Sequence, residues 1–61
     1  MKKTFFQIKV WNEDEREYRC VKAAGDYSQA TKDARCLMNE GRKARIEKVT
    51  TDGVNMMSKV V

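Results

Sequence analysis

Residues 26–41, DYSQATKDARCLMNEG, decide the fold, because they carry both ends of a helix and the apolar stripe between them. Asp26 is a carboxylate placed to accept from the free amides of a first helical turn. Gln29 follows three residues later, as a capping box requires. Tyr27, Ala30, Ala34, Leu37 and Met38 recur at helical spacing and make one apolar face. Lys32, Asp33, Arg35 and Glu40 occupy the other faces, and Gly41 is placed as the left-handed residue that ends the helix. A helix with a single apolar face needs something to cover, and the flanking segments supply it.

Upstream, Thr4 to Trp11 alternates with period two. Phe6, Ile8 and Val10 point one way and Phe5, Gln7, Lys9 and Trp11 the other, which predicts a half-buried strand. Asn12 to Arg16 is a charged loop. Glu17 to Ala24 predicts a second strand, with Arg19, Val21 and Ala23 on one face and Tyr18, Cys20 and Lys22 on the other. The short loop makes the two a hairpin. Downstream, Arg42 to Thr51 predicts a third strand in which Ala44 and Ile46 share a face. Val49 falls opposite unless a bulge intervenes. Asp52-Gly53 signals a two-residue hairpin turn with positive φ at both positions. Residues 54–61 then form either a fourth strand or a loose tail.

The expected fold is thus a single α+β domain over residues 1–61, ββαββ, with one helix on one face of a small antiparallel sheet. Short connections and a right-handed crossover put the third strand beside the first, giving the order 2-1-3-4. Phe6, Ile8, Val10, Val21, Ala23, Ala30, Ala34, Leu37 and Ile46 make the expected core.

Composition narrows the function. A chain of 61 residues, 41% hydrophobic and 36% charged, has the balance of a folded domain, with a core too small for more than marginal stability. Self-association is one remedy, and a homo-oligomer is expected. Histidine is absent, and Cys20 and Cys36 do not form a CxxC pair, so no zinc site or other cofactor motif is indicated. A disulfide between them is not established by their number. No apolar run is long enough to cross a bilayer, and Gln7 and Lys9 interrupt any signal-peptide core. The expectation is therefore a cytoplasmic chain with reduced thiols and no membrane partner. The net charge of +4 is mildly basic. Residues 12–17 are locally acidic and residues 42–48 locally basic, which predicts one acidic and one basic end.

Catalysis finds no foothold, since acid–base and nucleophilic mechanisms usually recruit histidine and no glycine-rich phosphate loop is present. Cys36, in the C-terminal half of the helix, faces a dipole that disfavours its thiolate. Binding is the better expectation. Phe5, Trp11 and Tyr18 should lie on the sheet face away from the helix, beside Lys9 and Lys22, with Arg42, Lys43, Arg45 and Lys48 extending that surface. Aromatic rings beside cations on a sheet can stack unpaired bases and neutralise phosphates. The same rings equally suit a protein interface or a cover of Met56, Met57 and Val61, and the cations equally suit a soluble strand edge. In size and pattern the chain resembles short accessory proteins of phages and mobile elements. The leading expectation is a non-catalytic protein-binding adaptor or inhibitor of that kind. A module binding single-stranded nucleic acid is the alternative, and an oligomer sequestering a small anionic ligand such as a nucleotide is a lesser one.

Overall fold

The computed structural model describes residues 2–61. Two long strands come first, β1 (Lys2–Asn12) and β2 (Glu17–Ala24), followed by the helix α1 (Tyr27–Asn39). Then come β3 (Ala44–Asp52) and β4 (Asn55–Val60). All strand pairs are antiparallel, in the expected order β2-β1-β3-β4. The segment after the third strand is therefore a paired strand rather than a tail.

The helix ends where its sequence dictates. Asp26 Oδ1 accepts from the Gln29 amide at 2.7 Å. The reciprocal half of the capping box is missing, because the Gln29 side chain donates instead to Asp33 Oδ1 at 3.3 Å. At the other end Gly41 adopts φ +87°. Its amide bonds Met38 O at 3.0 Å and the Arg42 amide bonds Leu37 O at 3.2 Å, the paired contacts of a Schellman closure.

Ala30 and Ala34 are buried and let α1 approach the sheet closely, over Ile8, Ala24 and Ile46. Phe6, Leu37 and Ala44 close the sides, and Phe6 meets Tyr27 edge to face at 5.7 Å. The helix lies across β1, β2 and β3 and leaves β4 uncovered.

The core departs from expectation on β2. Ile8 pairs with Lys22, but Lys9 pairs with Cys20, so Val21 is an extra residue bulged out of the ladder. The bulge inverts the face pattern beyond it. Ala24 rather than Ala23 reaches the core, and Val21 is exposed. On β3 no bulge intervenes, and Val49 points away from the helix as the alternation requires. Val49 is nonetheless 1% exposed. The β3–β4 turn is also shifted by one residue. Asp52 belongs to the strand, the turn residues are Gly53 and Val54, and only Gly53 is left-handed, at φ +66°. That is the glycine-first form of a two-residue hairpin.

Candidate binding face

The sheet face opposite the helix is where β1 presents Phe5, Gln7, Lys9 and Trp11 and β3 presents Arg45, Glu47 and Val49. Cross-strand pairing brings Tyr18 beside Trp11 and Cys20 beside Lys9. The two rings meet edge to face, with centroids 5.3 Å apart. The Arg45 guanidinium lies 4.1 Å from the centre of the Tyr18 ring. Trp11 Nε1 donates to Glu13 Oε2 at 2.8 Å, which fixes the indole from its far side. Phe5, Trp11 and Tyr18 are all half-buried. The three aromatic residues thus share the uncovered face, as expected, but Trp11 and Tyr18 are locked into a cluster with Arg45.

Glu47 organises the centre of this face. Its carboxylate, on a residue 5% exposed, is met by Lys9 Nζ at 3.1 Å and by Arg45 Nη2 at 2.8 Å. Ser58 Oγ, reaching over from β4, donates to it at 2.7 Å. The Ser58 hydroxyl, together with the two cations, holds the Glu47 carboxyl below the usual glutamate range against the opposing effect of burial. The sequence gives little sign of this role. Glu47 is an acid within a basic run, and only strand pairing brings Lys9 and Ser58 to it.

The remaining expected site residues are dispersed. Lys22 is on the helix side of the sheet, because the Val21 bulge turned it over, and it pairs with Asp33 of α1 at 3.2 Å. Lys48 also lies on the helix side, in register with Phe6. Arg42 and Lys43 precede β3, with the Lys43 carbonyl accepting from the Trp11 amide at 2.9 Å. The four cations of residues 42–48 therefore do not form one stripe. Nor do they protect an edge, since β3 is an inner strand.

Acidic and basic segments were expected at separate ends, but the antiparallel pairing of β1 with β3 brings them together. A shallow groove of about 700 Å³ at this end is lined by Trp11, Glu13, Glu17, Tyr18, Arg19 and Arg42, among others. Its charged side chains balance, with two acids and two arginines.

Among the described residues no group of acids and cysteines could hold a metal, and no helix is long and apolar enough to cross a membrane. Cys20 and Cys36 are free and exposed. Comparison with protein-family models, with curated proteins and with solved structures finds no match.

Proposed function

We propose that the chain is a small non-catalytic protein-binding module, an adaptor or inhibitor, that engages its partner with the Trp11–Tyr18 corner of the open sheet face. The observation that carries this is the interlocked set of Trp11, Tyr18 and Arg45 beside a charge-balanced groove. Tryptophan, tyrosine and arginine are the residue types on which interface energy concentrates. Here each is held by a neighbour, so little side-chain freedom is lost when a partner covers them.

The nucleic-acid and small-anion readings draw less support from the same face. Lys9 and Arg45 are both engaged by the one Glu47 carboxylate, which offsets half of their charge, and Arg45 occupies the Tyr18 ring face that a base would need.

A photo-activated cross-linker in place of Tyr18 tests the assignment in cells, with one in place of Ser28 on the outer side of the helix as control. The expected result is a discrete protein adduct from position 18, absent from position 28. Trp11→Ala should weaken capture of that protein by about 2 kcal/mol or more, the loss typical of a central anchor. Adducts to nucleic acid in its place, or no adduct from position 18, would overturn the proposal.

A further inference from the structure

The opposite edge of the sheet carries a second surface. Every residue of β4 is exposed, including Met56 at 70%, Met57 at 74% and Val60 at 54%. The Val61 amide bonds Ile46 O at 3.0 Å. Antiparallel alternation from that point turns the Met57 and Lys59 amides towards β3 and those of Met56, Ser58 and Val60 outwards. The outer edge is thus a row of unused backbone donors and acceptors.

The two sheet edges are not alike. β2 is interrupted by the Val21 bulge and carries Glu17, Arg19 and Lys22, the devices that keep an edge unpaired. β4 has no register break and a single charged residue, Lys59.

The surface area points the same way. The chain exposes 4788 Å². A compact monomer of this mass exposes about 4,100 Å². The excess, about 700 Å², belongs to a sheet that the helix covers on one face only and leaves bare at β4.

We propose that β4 pairs antiparallel with β4 of a second copy about a two-fold axis at Ser58, joining the two sheets into one of eight strands. The strand's own sequence selects this register. With Ser58 opposite the partner's Ser58, the whole of residues 55–61 overlaps. Met56 then faces the partner's Val60, and Lys59 faces the partner's Met57, along which its aliphatic stem can lie. Centring on Lys59 instead would oppose two ammonium groups, which destabilises a strand pair. Centring on Met57 would place Val60 against the partner's turn residue Val54. Odd shifts would set outward amides against positions whose amides point inward. A two-fold contact closes on itself, so the pairing uses up both open edges and ends at a dimer. The Trp11–Tyr18 corner lies towards the other edge and stays free in both copies, so this pairing stands independently of the partner proposed for that corner.

Sedimentation of the full chain at micromolar concentration should give the dimer mass. The double variant Met56→Lys/Val60→Lys sets lysine against lysine twice across the axis and should be monomeric. Met56→Lys/Val60→Glu sets lysine against glutamate and should restore the dimer. Register is read by disulfide trapping with Cys20 and Cys36 replaced by serine. A hydrogen-bonded antiparallel pair has Cα atoms about 5.5 Å apart, within disulfide range. Ser58→Cys should therefore cross-link on mild oxidation, and Met56→Cys should not. A monomeric wild-type chain, a dimer indifferent to the paired lysines, or Met56→Cys cross-linking as readily as Ser58→Cys would each overturn the proposal.

Discussion

Glu47 holds the open face together through a carboxylate that accepts from Lys9, Arg45 and Ser58. Replacing it by glutamine keeps the shape and removes the charge. Lys9 and Arg45 then face each other without an anion, and Glu47→Gln should destabilise the fold by about 1–3 kcal/mol in urea titration. The pH dependence has a definite sign. The Glu47 carboxyl is held below its usual value in the folded chain, so its contribution is complete above the unfolded-state value of about 4.3. It is lost as pH falls through the lower folded value. Wild-type stability should drop over that acidic window by more than the Glu47→Gln variant does, and equal slopes would remove Glu47 from this role. At this scale the sequence was partly legible. Alternation about Ala44 and Ile46 leaves Glu47 on the face away from the helix, but its partners come from three strands, and no local pattern states which strands meet.

The elements were legible wherever the signal was local. The Asp26 cap, the alanine-centred stripe and Gly41 lie within one continuous segment, and the helix follows them. The strand order followed from short connections. The Val21 bulge was not legible, because a bulge is a property of two strands in register and β2 alternates acceptably by itself. Its consequence was the misplacing of Lys22 and Ala23. Two substitutions measure the elements directly. Gly41→Ala puts a Cβ on a left-handed residue and should cost about 1–2 kcal/mol, seen as a lower urea midpoint with an unchanged slope. Lys59→Glu should act in the opposite direction. Lys48 and Lys59 are directly paired across β3 and β4, and like charges so placed repel. An acid at position 59 should stabilise the hairpin by roughly 0.2–1 kcal/mol, and the gain should vanish in a Lys48→Ala background.

Across the whole molecule, charge separates the two binding readings more sharply than any residue does. The net +4 invites a phosphate partner. The antiparallel frame, however, sets the acidic 13–17 turn beside Arg42 and places Glu47 between Lys9 and Arg45. The aromatic corner is therefore close to neutral, while Lys2, Lys48 and Lys59 lie on the helix side, across the sheet from Trp11 and Tyr18. Binding to single-stranded oligonucleotide should then be weak and confined to low salt, with a slope of log affinity against log salt corresponding to only a few phosphate contacts. Each contact on a single strand contributes about 0.7 to that slope. Trp11, the only tryptophan, reports the corner directly. Its fluorescence should stay unchanged when oligonucleotide is added, because cations far from it make whatever contact forms. Saturable quenching of Trp11, with a loss of about 1–3 kcal/mol of binding in Tyr18→Ala, would mean that bases stack at the corner after all. Arg45 would then have to leave the Tyr18 ring to admit them, and the face would belong to nucleic acid rather than to a protein partner.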